Sequence, residues 1–282
     1  MKLQRILQAV HAQPWLITAR AHDAIKALLD THLAATFEAK APSAARPATD
    51  FFGNALPVMT VDRGIATIPV RGVIGKGFSS FEKSCGAVGV EDIGEDVQAA
   101  VEMPSVKGIF LDVSSPGGMV TGTPEVAAII AEARASKPVM AFTDEEMCSA
   151  AYWLASGASA IYAAPSADVG SIGVYMPWVD RTKMAENMGL KVDLIKNTEG
   201  TFKGAGYPGT ALTAEQRQNL QEHVDGIFGM FKGAILASRP GVPDSAMRGQ
   251  TFMGHGAVEA GLVDSVSDRA QAMADLRRLA GV

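Results

Sequence analysis

The chain has 282 residues, 48% of them hydrophobic and 20% charged, which is enough apolar material to bury a large core in one large or two small domains. A net charge of −5 with no dense Lys/Arg block argues against a nucleic-acid ligand, because affinity for a phosphate backbone is built from clustered cations. Two cysteines, Cys85 and Cys148, are too few for a disulfide framework and fit a reducing cytosol.

At the N-terminus, Leu3, Ile6, Leu7 and Val10, and later Ile25, Leu28 and Leu29, recur at helical spacing with a break near Pro14, predicting two amphipathic helices. Gln8, His11, Gln13 and Arg20 interrupt any apolar run before signal-peptide length. Nowhere do about 18 uncharged apolar residues follow one another, so no membrane span is predicted. The stretch EAKAPSAARPATDFFGNALP is rich in Ala, Pro and Ser without a period, and reads as a flexible tether. The expected organisation is therefore a helical appendage and tether over 1–50, packing little on a main domain over 51–282.

In the main domain, VMTVDRGIATIPVRGVI reads as a hairpin turning at Asp62 to Gly64, and VEDIGEDVQAAVEM as a helix with Val90, Ile93, Val97 and Val101 on its apolar face. VKGIFLDVSS is a buried strand ending at PGG, and TPEVAAIIAEARAS starts a helix with Thr123 as N-cap and Pro124 in its first turn. Strand PVMAFTD, helix SAAYWLASG, strands AIYAAP and IGVYMPW, helix RTKMAENMG, strand KVDLIKN and a long helix at 213–238 follow. This alternation makes an α/β domain with mainly parallel strands.

In such a sheet the chemistry sits where strands end and helices begin, because backbone N–H groups there point outward. SSPGGMV, residues 114–120, and Ser149 in DEEMCSAAYWLASGA share that context. If the two turns adjoin, an N–H of Gly117 or Gly118 and one of Ser149 or Ala150 can bind the oxyanion of an attacked carbonyl. Taken singly, SPGG reads as well as an ordinary turn, and the small residues around Ser149 as tight helix packing.

A serine nucleophile needs a base. Of the five histidines, His11, His22 and His32 lie in the appendage, His223 falls on a solvated helix face, and His255 is the one loop candidate. Lysine can replace histidine where burial makes its ammonium release the proton. Among Lys183, Lys191, Lys196 and Lys203, only Lys203 sits in a glycine-rich, neutral stretch able to fold back over a site, although a solvated loop lysine fits the composition too.

The order LDVSSPGG, CSAAYWLAS, ADVGSIGVYM, TFKGAG and LTAEQRQNLQEHVDGIFGMF resembles the signal peptide peptidase A family of Ser-Lys serine proteases, and within it the bacteriophage capsid-maturation branch, over residues 58–268. The resemblance implies a Clp protease/crotonase-like fold of repeated strand-strand-helix units. It implies Ser149 as nucleophile, Lys203 as general base, Gly117, Gly118 and Ala150 at the oxyanion, and Ser171 orienting the lysine. No metal or cofactor is implied. Substrates would be scaffold or capsid-assembly proteins, with small side chains before the cleaved bond. The resemblance further implies a homo-oligomer working in the bacterial host cytoplasm within the prohead, with no membrane partner. One departure is Ala151, where many relatives have glycine. Two other readings share the motifs: a non-catalytic capsid-assembly protein of the same fold, and a crotonase-like acyl-CoA enzyme drawing on Glu145 and Glu146.

Overall fold

Parallel strands need a crossover between them, and this chain makes each crossover from a short second strand and a helix. The computed structural model describes residues 14–33, 49 and 53–282. In chain order, β1 (Trp15–Ile17) and α1 (Ala19–Leu33) come first, followed by the hairpin β2 (Thr60–Asp62) and β3 (Ile65–Arg71). Arg63 and Gly64 turn it, both at positive φ (47° and 78°), as a two-residue hairpin with right-handed strand twist requires. The first unit continues with β4 (Val73–Gly75), α2 (Ser80–Ser84), β5 (Ala87–Gly89) and α3 (Val90–Glu102). The second is β6 (Gly108–Ser114), β7 (Gly117–Met119) and α4 (Thr123–Ala133), and the third β8 (Val139–Thr143), β9 (Glu146–Cys148) and α5 (Ala150–Ser156). Then come β10 (Ala160–Ala163), β11 (Asp168–Gly170), α6 (Thr182–Asn187) and the long α7 (Ala214–Ser238). A 3₁₀ turn at Asp244–Ala246, β12 (Thr251–Met253), α8 (Gly254–Glu259), β13 (Ser265–Val266) and α9 (Arg269–Ala280) close the chain.

The first strand of each unit enters one six-stranded sheet, ordered β13-β10-β8-β6-β3-β2 and parallel except at the β2–β3 hairpin. The second strand of each unit turns away into smaller sheets, β1-β7-β4-β5 and β12-β11-β9. This is the strand-strand-helix repeat of the Clp protease/crotonase-like fold. Both faces of the main sheet are covered, so its strands read as continuous apolar runs rather than alternating ones. Ile109 and Leu111 pack with Ile93, Val97 and Ile130 in one core cluster, while Phe110 and Phe142 pack with Leu276 of α9 in another. No helix among the described residues is long and apolar enough to cross a membrane.

Four expectations need correction. Gly122, in the left-handed region, caps α4 in place of Thr123, whose hydroxyl donates to the Met119 carbonyl at 2.8 Å. Residues 172–178 form only a single bridge at Tyr175, and 191–197 form no strand, because β-prone composition without a partner edge leaves the backbone unpaired. The amphipathic helix expected before Pro14 and most of the tether lie outside the described residues, but Trp15–Ile17 do not belong to a loosely packed appendage. All three side chains are buried, and a large apolar side chain taken from water stabilises by about 1.5–3 kcal/mol. The domain boundary thus does not separate residues 15–17 from the main core.

Candidate active site

Ser149 ends a strand and begins a helix with no residue between. Cys148 pairs with Gly170 across β9 and β11, and the next N–H, that of Ser149, donates to the Gly170 carbonyl at 2.7 Å. Its own carbonyl accepts from Trp153 N–H at 2.9 Å, the first helical bond of α5. Meeting both demands forces Ser149 to φ 55° and ψ −115°, a conformation costing a residue with a Cβ about 1–3 kcal/mol. The surroundings hold it there. Every residue of α5 is buried, and Trp153 stacks on Phe231 of α7 with ring centroids 4.6 Å apart. Ser149 is 1% exposed, and its hydroxyl oxygen has no hydrogen-bond partner among the described residues. A buried, unpaired hydroxyl costs about a further 1–3 kcal/mol. Strain and an orphan polar atom on one residue are what a site, rather than a packing position, looks like.

The two turns do adjoin. Ser115 N–H donates to the Glu146 carbonyl at 2.9 Å, and Cys148 N–H to the Ser115 carbonyl at 3.1 Å. Gly117 follows at φ 104°, and a methyl on it would lie 2.9 Å from the Ser149 Cβ. Its N–H makes a long 3.2 Å bond to the Ser115 hydroxyl. Gly118 is flanked by Leu16 and Ile74, and a Cβ there would meet the Ile74 carbonyl oxygen at 1.8 Å, so close strand packing already accounts for this glycine. Ala150 is the first residue of α5, where an N–H has no carbonyl of its own helix to bind. Ser171 comes directly after Gly170, also left-handed at φ 51°, with its N–H on the Gln250 carbonyl at 2.8 Å. It lines a groove of about 440 Å³ shared with Ile17, Tyr175 and Phe228. Ser149, Gly117, Ala150 and Ser171 are thus brought together.

Lys203 is not. It lies exposed in the irregular segment before α7, its ammonium without a hydrogen bond or ion pair among the described residues. Lys196 is tied to the Thr201 carbonyl at 2.8 Å, and Lys183 and Lys191 are exposed. His255 is exposed in the first turn of α8 rather than in a loop, and His223 is exposed on α7. Of the acidic candidates, Glu145 accepts from the Ser114 hydroxyl, and burial pushes the Glu146 carboxyl up. Neither touches the Ser149 hydroxyl.

Residues 131–282, more than half of the chain, match the pattern of Peptidase family S49. The chain belongs to this family. It is 33% identical over 219 residues to the head-tail preconnector protein GP5 of Enterobacteria phage P21, covering 77% of this chain and 43% of that protein. It is 34% identical over 221 residues to capsid assembly protease C of Escherichia phage lambda, covering 77% and 49%. The S49 chain therefore spans less than half the length of these relatives. Among solved structures it is similar to a ClpP1 mutant from Listeria monocytogenes, with a TM-score of 0.43 and 10% identity over 73% of this chain and 94% of that one. The family expected from the motif order, with phage capsid proteases among its relatives, is the family found.

Cys148, beside the serine, is not a candidate nucleophile. Burial in apolar surroundings pushes its thiol up to about 12, and the nearby Glu146 and Asp168 charges push in the same direction. A thiol held protonated is a small hydrophobe, not a nucleophile. Cys148→Ser is expected to keep cleavage of a peptide substrate within about threefold of the unmodified chain. A folded variant without activity would move the nucleophile to the cysteine.

Proposed function

We propose that the chain is a serine endopeptidase with Ser149 as nucleophile and Lys203 as general base, cleaving scaffold or capsid-assembly proteins during phage head maturation inside the bacterial host. The observation that carries this reading is the buried, unpartnered Ser149 hydroxyl on a left-handed turn, with Gly117 against its Cβ. Neutral Lys203 takes the hydroxyl proton as Ser149 attacks a peptide carbonyl. The N–H groups of Gly117 and Ala150 receive the oxyanion, and the lysine then protonates the leaving amine. Ser171, one residue beyond the carbonyl that anchors Ser149, orients the lysine. The reaction needs no metal or cofactor.

This requires the segment bearing Lys203 to close over Ser149 and exclude water, since desolvation is what lets an ammonium give up its proton. The same segment exposes Val179, Met184, Met188, Leu190, Ile195 and Phe202. Six exposed apolar side chains within one segment are what a contact site presents, which supports a homo-oligomer in which a neighbouring copy covers them and the lysine is seated. The name of the lambda relative, a capsid assembly protease, supports the substrate class. The exposure of Lys203, with no hydrogen bond to the Ser149 hydroxyl, favours a second reading, a non-catalytic assembly protein.

Intact-mass spectrometry after exposure to a fluorophosphonate decides between them. The peptidase gains one phosphonyl adduct, located on Ser149 by peptide mapping. A chain that stays unlabelled in its assembled state is the assembly protein.

A further inference from the structure

An acyl-transfer site must bring an extended peptide past its oxyanion donors, and the simplest way to hold one is as an added strand on the edge that carries them. Here that edge is β7, whose first residue is Gly117. It is already taken. The chain's own Trp15–Ile17 pairs with it antiparallel, Ile17 opposite Gly117, Leu16 opposite Gly118 and Trp15 opposite Met119. Thr18 N–H continues the ladder to the Pro116 carbonyl at 3.1 Å. The other side of the slot is closed by Tyr175, which exchanges both backbone hydrogen bonds with Trp15, at 2.8 and 3.3 Å.

The intruding strand and the nucleophile meet at one glycine. A methyl on Gly117 would lie 2.1 Å from the Leu16 carbonyl oxygen and 2.9 Å from the Ser149 Cβ. Beside it the Ser149 hydroxyl is buried without a hydrogen-bond partner among the described residues. Side chains also fasten the strand. His22 lies between Trp15 and Tyr175, with ring centroids 5.3 and 5.5 Å away, and its Nδ1 shares a 2.7 Å hydrogen bond with the Tyr175 hydroxyl.

We propose that Trp15–Ile17 is a built-in occupant of the substrate slot, which holds the site shut until a strand of a protein substrate replaces it. The proposal rests on the reading of Ser149 as nucleophile. Alternation along the occupant indicates what can replace it. Trp15 and Ile17 pack with Phe78 and Met119, whereas Leu16 points into the main core. The slot therefore takes an extended peptide with apolar side chains on both faces. Its apparent affinity is lowered by the fraction of time the occupant is seated.

The test locks the strand reversibly. In a Cys85→Ser chain, Trp15→Cys with Tyr175→Cys places two thiols on a hydrogen-bonded antiparallel pair. Such pairs hold their Cα atoms about 5.5 Å apart, within disulfide reach. Cleavage of fluorescein-labelled casein and fluorophosphonate labelling of Ser149 are followed on the oxidised protein and on the same sample after reduction. Oxidation is expected to slow cleavage at least about tenfold, with recovery on reduction. Because one chain is compared with itself, misfolding cannot imitate the result. Leu16→Pro, which removes a ladder N–H in the full chain, is expected to raise the rate about threefold or more. Equal rates in the oxidised and reduced forms, with Ser149 labelled in both, overturn the occupant and leave the catalytic reading intact. Absence of labelling in both forms and in the unmodified chain overturns the catalytic reading and this proposal with it.

Discussion

Ser149→Ala is expected to lower turnover of a peptide substrate by about a thousandfold or more, and Lys203→Arg to do nearly the same although the charge is kept. A guanidinium does not give up its proton, so a lysine that acts as a base cannot be replaced by its nearest cationic relative. Combining Ser149→Ala with Lys203→Ala is expected to be scarcely worse than either alone, because members of one catalytic unit are not additive. Steady-state rates of Ser149→Ala, Lys203→Arg, Lys203→Ala and the double variant, measured beside their circular dichroism, check this. Full activity in Lys203→Arg removes the lysine from the mechanism and points to His255. In the described structure Lys203 stands exposed and makes no hydrogen bond to the serine.

Phe231→Ala is expected to cost about 3–5 kcal/mol of stability, read as a lowered urea midpoint. The ring is fully buried and lies nearly parallel to Trp153, 8° between planes. Trp153 belongs to the helix that starts at Ser149, and its N–H holds the Ser149 carbonyl. The stack on α7 therefore fixes the axis on which the Ser149 turn is mounted. Activity should fall even where the variant stays folded, since misplacing a reacting group by about 1 Å can cost about a hundredfold. A loss below about 1 kcal/mol would mean that the ring fills space without anchoring the helix.

The parts legible in the sequence were those whose signal is local. The run Gly108–Ser114 is apolar because both faces of its strand are covered, and the spacing of Val90, Ile93 and Val97 marks the buried face of α3. The long helix expected at 213–238 is local too, and α7 spans Ala214–Ser238. The strands β4, β7, β9 and β11 have three residues each, too few to show a period of two, so the smaller sheets were invisible. Trp15–Ile17 failed for another reason. Three apolar residues between Pro14 and a helix look like part of that helix, and their partner lies about a hundred positions further along the chain, at Gly117–Met119. Of the candidate site, Ser149, Gly117 and Ala150 are placed at strand ends by the sequence and Ser171 only by the family resemblance, whereas the position of Lys203 depends on a segment with no regular structure of its own.

Ser149 and Ser171 both occupy backbone conformations in which glycine would rest without strain. Relief of about 1–3 kcal/mol at each exceeds the roughly 0.4–1 kcal/mol that glycine's extra freedom in the unfolded chain would take back. Heat resistance alone, used as a selection, would thus drift toward glycine at 149 and 171 and erase both hydroxyls while hardening the molecule. Any programme of thermal improvement for this chain has to treat these two positions as untouchable, because there the most comfortable residue and the useful one are different.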